Sequence, residues 1–511
     1  MGIFDMFLQA WSTSSLLMAL VVLMCFYILF SSSFSSQDEG KEPPGPKPLP
    51  FLGNLLQLDL RRIYHSLMEL SRTYGSVFTI YMGTKKVVVL AGYKTVKEAL
   101  VNHAQEFGDR DPIPIFHEYN QGHGIIWANG ESWKEMRRFA MTNLRDFGMG
   151  KKACEDKISE ECNQLIGVLK QFKGEAFDTT TPIFCAVCNI ICSMVYGIRF
   201  GYDDPEFRSL LEDMSRRGRL LGTISIQVYN IFPRFFKWIG NRKLFFRLGV
   251  ANRKQNLKMI NHLKETHIPQ MCRGFVDAFL VRKHNLETSG ITNSHFHDDN
   301  LMATVLNLFA AGTETTSNTL RWALLLVTKY PEIQEALHYL DQVQEELSRV
   351  IGPRQVQILD RKNLHFVNAV LHEIQRVANI APLSVPRKTS QDVTFQGHFI
   401  KKGTTVTPLL TSVLYDESEW ENPHSFYPAH FLDKDGRFVK RDAFMPFSAG
   451  LRACPGESLA KMELFLFFTS LLQYFRFTPA PGVSEDLLDL TPCLRLTLDP
   501  VPHKLCAAPR I

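Results

Sequence analysis

The stretch Phe444-Met445-Pro446-Phe447-Ser448-Ala449-Gly450-Leu451-Arg452-Ala453-Cys454-Pro455-Gly456-Glu457 runs straight into the helical pattern SLAKMELFLFF. A cysteine just ahead of a helix, with Pro455 available for the first helical position and Glu457 able to cap, meets free amides and the positive end of the helix dipole. Both favour thiolate over thiol. Gly450 and Gly456 permit tight turns that bring backbone donors close to sulfur, and Arg452 offers a cation two residues away. Such a loop serves either a thiolate nucleophile or a thiolate metal ligand. No histidine lies in the stretch to act as a local base, which counts against the nucleophile, although a distant one could approach in the fold. An inert buried cysteine fits poorly with two flanking glycines and an arginine.

Other groups have chemical spacing too. Within the apolar helical run from Met302 to Tyr330, Ala310-Ala311-Gly312-Thr313-Glu314-Thr315-Thr316 places an acid beside an alcohol, a pair suited to relaying protons. Small residues there open a groove, and a threonine hydroxyl bonding back to the carbonyl four residues earlier can disturb the helix and leave room beside Gly312. Alone, such a segment is usually structural. Trp133 and Arg137, four apart, aim an indole N–H and a guanidinium the same way. Glu373 and Arg376 lie three apart on one helix face and can pair. Cys185, Cys188 and Cys192 have cluster-like spacing, but the residues between them are apolar and the offsets are those of a helix face, so they read as core.

Phe447, Gly450, Arg452, Cys454 and Gly456 match the F-x-x-G-x-R-x-C-x-G signature of the cytochrome P450 superfamily at each of its defined positions. The resemblance runs from the proline-rich segment to the C-terminus and is nearest to the microsomal family 2. It implies that Cys454 is the proximal iron ligand of haem b, whose negative sulfur favours O–O cleavage. It also implies that Thr315, in a segment similar to the family's A-G-x-E-T-T motif, activates oxygen with Glu314. Arg110, Trp133, Arg137, Arg387 and Arg452 align with positions that contact the haem propionates; Arg387 stands where family 2 usually has histidine. Glu373 and Arg376 resemble the family's buried E-x-x-R pair, with His430 as third member where many relatives carry arginine, and the three are assigned to folding and haem incorporation. Substrate-facing positions carried over by alignment are Ile126, Trp127, Phe309, Ala311, Ala381, Val385 and Leu496. Most are apolar, so binding rests on shape and desolvation.

The resemblance implies an NADPH-dependent monooxygenase that inserts one oxygen atom of O2 into lipophilic substrates, whether foreign compounds, fatty acids or steroids. Its electrons come from an NADPH-dependent flavoprotein reductase, with cytochrome b5 as a further partner. A haem-thiolate isomerase or dehydratase that needs no reductase is the rival enzyme, against which the intact Glu314-Thr315 pair argues. A catalytically impaired membrane haem protein is the other rival, because Glu335 to Asp341 lengthens the helical region from Pro331 to Gly352 by roughly two turns relative to the family pattern. Leu451 replaces a basic residue common in relatives, which weakens docking of an acidic reductase.

The elements that must position these groups read as mainly α with small peripheral β-sheets. Short β-type runs occur at Val77 to Tyr81, Lys86 to Leu90 and around Val393 to Val406, and helices dominate from Trp133 to about Arg376. With no repeat and no second domain evident, residues 51–511 read as one catalytic domain. Its 38 phenylalanines suit a large apolar interior able to receive an apolar ligand. A net charge of +5 without a dense basic stripe fits an anionic membrane surface or an acidic protein better than nucleic acid. Ten sparse cysteines, many in apolar runs, imply a reducing compartment. Residues 1–42 read as a membrane anchor with its flank: Leu16 to Phe30 carries no charge, long enough with its neighbours for one crossing of about 20 residues. The first basic residue is Lys41, so a cleavable signal's positive leader is missing, and the positive-inside rule puts the body in the cytoplasm, on the endoplasmic reticulum membrane. Residues 43–50, Pro43-Pro44-Gly45-Pro46-Lys47-Pro48-Leu49-Pro50, form a stiff spacer that holds the body at a set attitude to the bilayer.

Overall fold

The computed structural model describes residues 15, 17–22, 42–146, 152–266, 268, 271–291, 293–331, 342–495 and 497–510. Most of the expected anchor, the Glu335 to Asp341 extension and Leu496 lie outside them. No helix among the described residues is long and apolar enough to cross a membrane.

The body is mainly helical with small sheets at its edges, as the residue patterns indicate. Helices α1 (Ile63–Tyr74), α2 (Pro114–Asn120), α3 (Gly130–Asp146), α4 (Lys152–Gln171), α5 (Thr180–Val195), α6 (Pro205–Leu221), α7 (Ile224–Ile231), α8 (Gly240–Glu265) and α9 (Phe275–Thr288) precede α10 (Asp298–Lys329). After it come α11 (Gln342–Val350), α12 (His365–Ala378) and α13 (Glu457–Tyr474). At 32 residues, α10 is about 48 Å long and traverses the molecule. Asp298 and Asp299 in its first turn and Lys329 in its last complement its dipole. Almost every side of α5 is apolar and buried, so it lies inside the bundle, packed against α10 and α4, while α13 packs against both of those.

The largest sheet has strand order β1 (Val77–Met82), β2 (Lys85–Leu90), β8 (Thr405–Pro408), β5 (Arg387–Lys388), β3 (Asp109–Arg110). Gly83, at φ +64°, opens the two-residue turn that joins β1 to β2 in register Met82 to Lys85. β2 runs parallel to β8, and the remaining pairs are antiparallel. The pairing of β3 with β5 sets Arg110 directly across from Arg387. A second sheet joins β4 (Ala176–Asp178), β12 (Lys504–Pro509) and β9 (Phe475–Pro479), and two hairpins are formed by β6 (Val393–Phe395) with β7 (His398–Ile400) and β10 (Pro492–Leu494) with β11 (Leu498–Pro500).

The proline-rich segment is docked rather than free. The Pro44 carbonyl accepts from the Thr79 amide at 2.7 Å, and the Asn54 side chain ties Pro46 and Lys47 to Tyr81 on β1. A Cβ on Gly45 would lie 1.9 Å from the Thr79 carbonyl oxygen, so only glycine lets the chain lie this close to β1.

Candidate active site

The cysteine loop is shaped by one glycine above all. Gly450 has φ +72°, and a Cβ there would fall 1.7 Å from the Leu100 carbonyl oxygen, so conformation and space both demand glycine. The loop closes through the Cys454 amide donating to the Phe447 carbonyl at 3.0 Å. The capping arrangement differs from the expectation. Helix α13 starts at Glu457, so Pro455 lies before it, and Glu457 pairs with Lys461 at 2.5 Å instead of capping. Freed from helix bonds, the amides of Gly456 and Glu457 face the sulfur. Burial pushes the Cys454 thiol up, while those amides and Arg137 pull it down. The cation at the sulfur is thus Arg137, not Arg452. Cys454 retains accessible surface although protein atoms surround it.

Four guanidiniums converge on this interior. Arg110 and Arg387 face each other across β3 and β5, an unfavourable placement for like charges unless an anion lies between them. Arg137 on α3 donates to the Ala453 carbonyl at 2.6 Å. Arg452 donates to the carbonyls of Gly108 (2.8 Å) and Ala128 (3.0 Å) and to Asn129 Oδ1 (2.8 Å), with its guanidinium carbon 3.3 Å from the Trp133 ring centroid. Burial and then mutual repulsion hold Arg110 well below its ordinary value; burial, with Arg137, takes Arg387 down to about 10; burial, with Arg387, takes Arg452 down to about 9. Arginines do not discharge in proteins, so these shifts express unmet demand for negative charge. Arg110 Nε, Arg387 Nε and Nη2, and Trp133 Nε1 are buried with no hydrogen-bond partner among the described residues. Unpaired donors of this kind are costly unless a ligand takes them. Two propionates of a haem, with Cys454 on its iron, match the donors in charge and type. Arg452 differs from the others in that each of its nitrogens already holds a protein acceptor.

On α10, Thr315 Oγ1 donates to the Ala311 carbonyl at 2.6 Å, and similar back-bonds link Ser317 to Thr313 and Thr319 to Thr315. The helix nevertheless runs unbroken from Asp298 to Lys329, contrary to the expected disturbance. A Cβ on Gly312 would meet Ile191 Cδ1 at 2.4 Å, so its bareness lets α5 pack close. The open positions are Ala311, exposed, and Thr315, half-buried. Glu314 points elsewhere, into a buried niche where its Oε1 would lie 2.6 Å from a Cβ on Gly218 of α6. Burial, with a smaller contribution from Asp499, pushes its carboxyl up to about 8 against the pull of Arg495.

Of the expected substrate positions, Ile126, Ala381 and Val385 are half-buried, and the Val385 carbonyl accepts from Arg110 Nη1 at 2.7 Å. Trp127 stacks on Phe116 at 4.9 Å, and Phe309 is buried against Tyr196 at 5.4 Å. Away from this space, Glu373 and Arg376 form a two-pronged pair at 2.7 and 2.8 Å with both side chains wholly buried. Arg376 also donates to the carbonyls of Leu414, Pro423 and Ser425. His430 Nε2 accepts from the Asn422 amide at 3.2 Å, which leaves Nδ1 to donate to Glu373 at 3.2 Å. Cys185, Cys188 and Cys192 are buried on α5, where burial raises the Cys185 thiol to about 12.

Sequence reasoning missed several polar residues. Asn129 ties β3 to the cysteine loop by exchanging backbone bonds with Arg110 and accepting from Arg452. Asn318, which donates to Asp499 at 2.6 Å, closes the niche of Glu314 one turn along. Asn300 and Asn307 on α10 hold the backbone of residues 124–126. For Asn300, Asn307 and Asn318 the available signal was asparagine inside an apolar helical run, where its low helix propensity needs a compensating partner; Asn129, just ahead of α3, carried none.

Residues 43–507 match the family model described as Cytochrome P450. The chain is 60% identical over 512 residues to Cytochrome P450 2K1 of Oncorhynchus mykiss, covering 100% of both chains. It is 54% identical over 462 residues to Cytochrome P450 2K6 of Danio rerio, covering 90% of each. Against Cytochrome P450 2C23 of Rattus norvegicus identity is 44% over 501 residues, covering 96% of this chain and 98% of the other.

Proposed function

The chain belongs to the cytochrome P450 superfamily, within family 2, and from that premise we propose that it oxygenates lipophilic small molecules in the space between Cys454, the Arg110–Arg387 pair and the Ala311–Thr315 face of α10. It is a P450 monooxygenase whose cofactor is haem b, and its family implies a reductase as electron donor. The observation that carries the site assignment is the set of buried donors on Arg110, Trp133 and Arg387 with no partner among the described residues, together with an accessible cysteine.

Haem b bound through a thiolate supplies the oxygen activation by which one atom of O2 enters a C–H or C=C bond and the other leaves as water. Arg110, Arg387 and Arg137 would bind and neutralise its propionates, the Trp133 indole N–H would donate to them, and Arg452 braces the cysteine loop through Asn129. The Thr315 hydroxyl, bonded to the Ala311 carbonyl in the resting helix, is the proton donor at the open face of α10, and Glu314, its carboxyl raised to about 8 in the niche beside Gly218, is a proton store that reaches Thr315 by turning out of that niche. Ile126, Trp127, Phe309, Ala311, Ala381 and Val385 supply apolar walls that exclude water and select by shape. Glu373, Arg376 and His430 fix the segment that leads to the cysteine loop.

Family 2 enzymes are typically bound to the endoplasmic reticulum membrane, and residues 1–42 are the proposed single anchor, with the body facing the cytoplasm. The described surface supports a bilayer contact: Phe51, Phe235 and Trp238 are exposed, the last two among Arg234, Lys237 and Arg242. Cytochrome b5 is a second proposed donor of electrons.

The test is reconstitution of the full-length protein with lipid, an NADPH-dependent flavoprotein reductase and a panel of lipophilic compounds under isotopically labelled dioxygen. The expected result is a high-spin shift of the haem absorption with some of the panel, and product carrying one labelled oxygen only when NADPH and reductase are both present. Product formed equally well without reductase would replace monooxygenation with a rearrangement reaction.

A further inference from the structure

Three consecutive backbone amides in the segment that supplies Ile126 and Trp127 end on two side chains of α10. The Gly124 amide donates to Asn300 Oδ1 at 3.0 Å, and the amides of Ile125 and Ile126 both donate to Asn307 Oδ1 at 3.1 Å. Asn300 and Asn307 are seven residues apart, two turns of helix, and so share a face. Both are buried. Asn300 is itself fixed by donating to the His295 carbonyl at 2.8 Å and to Ser132 Oγ at 3.2 Å.

The segment has no strand partner to satisfy these amides. Gln121, Gly122 and Gly124 take positive φ angles of 51°, 81° and 87°, which exclude helix and strand alike. Buried amides must find acceptors, and here α10 provides them. The approach is close enough that a Cβ on Gly124 would lie 2.5 Å from Asn307 Oδ1. Just beyond the held amides, Trp127 stacks on Phe116, and one turn beyond Asn307 on the same helix lies the open Ala311. A polar cavity lined by Tyr119, His123, Arg253 and Asp299 backs the segment, so released amides would meet solvent.

We propose that Asn300 and Asn307 form a clamp that fixes the 124–127 wall against α10, and that Asn307 is thereby a positioning residue that determines which lipophilic substrates are accepted and where they are oxidised. The proposal rests on the monooxygenase reading. With the clamp closed, Ile126 and Trp127 stand at a set distance from the open face of α10, so ligand width is limited by the frame rather than by induced fit. With Asn307 truncated, two amides lose their acceptor and the wall moves toward solvent.

The experiment compares wild type, Asn307→Ala, Asn307→Asp and Asn300→Ala as full-length haem-loaded enzymes. Hydrogen exchange at residues 124–126 is read alongside spectral affinities for narrow and bulky ligands and the ratio of product isomers. In Asn307→Ala, exchange at Ile125 and Ile126 is expected to accelerate about tenfold or more, as an unsatisfied buried donor demands. Bulky ligands should bind better relative to narrow ones, and the isomer ratio should change. Asn307→Asp keeps the acceptor oxygens and should restore wild-type exchange and isomer ratio, while Asn300→Ala should free Gly124 alone. Unchanged exchange in Asn307→Ala would overturn the clamp; faster exchange with an unchanged isomer ratio and unchanged ligand preference would overturn its role in specificity. Failure of the wild type to turn over would strike the monooxygenase reading instead, with the exchange data still deciding the clamp.

Discussion

Glu314 keeps a proton because its surroundings make ionisation expensive: it is buried between α10 and Gly218 of α6, near the Asp499 carboxylate, with Arg495 the opposing charge. Its carboxyl is raised from 4.5 to about 8. A raised acid binds its proton in the folded chain after the unfolded chain has released it. Folding is therefore favoured fully below about 4.5, and the penalty accrues as pH rises through the interval up to about 8. Glu314→Gln removes that titration. Thermal unfolding as a function of pH should show wild type losing stability relative to Glu314→Gln by up to about 1.4 kcal/mol per pH unit in that interval. Parallel stability curves would show that Glu314 is already ionised at neutral pH and is no proton store. Product per NADPH should follow the same titration in wild type, falling above about pH 8, and should be low and flat in Glu314→Gln.

Helix α12 is pinned to the segment that leads into the cysteine loop by Arg376, whose carbonyl partners are at Leu414, Pro423 and Ser425. Glu373 neutralises it and also accepts from the Tyr427 amide and from His430. Removing one member of a wholly buried pair strands the other, at a cost of about 3–5 kcal/mol. Glu373→Gln should therefore lower the denaturation midpoint and yield protein with little haem, measured by chemical denaturation and haem content together; a variant with wild-type midpoint and haem content would show that the pair does not hold this segment. The cysteine loop, the Trp133–Arg137 pair and the Glu373–Arg376 pair were legible because each is local, and spacing along the chain fixes them. The docking of Pro44 on β1 and the grip of Asn307 on residues 125 and 126 join distant segments, and spacing carries no trace of them. The cap at α13 was misplaced because Pro455 and Glu457 fit two helix starts equally well, and the loop bonds from Ala453 to Gly450 and from Cys454 to Phe447 select the later one.

Across the whole molecule, β3, α3, β5 and the cysteine loop deliver four cations and an indole to one interior that no local motif defines. Arg110 meets Arg387 because β5, flanked on its other edge by β8, pairs with β3 across a chain separation that no local spacing encodes. A fold that concentrates buried positive charge in this way is stable only around an anion, which binds cofactor loading to folding. We assign haem as this anion and Cys454 as the ligand of its iron, and the assignment is tested by the carbon-monoxide-bound, reduced absorption spectrum of Cys454→Ser beside wild type and Cys185→Ser. The thiolate-haem band should be present in wild type and Cys185→Ser and absent in Cys454→Ser. A band of equal strength in Cys454→Ser, or equal loss in both variants, would contradict the assignment.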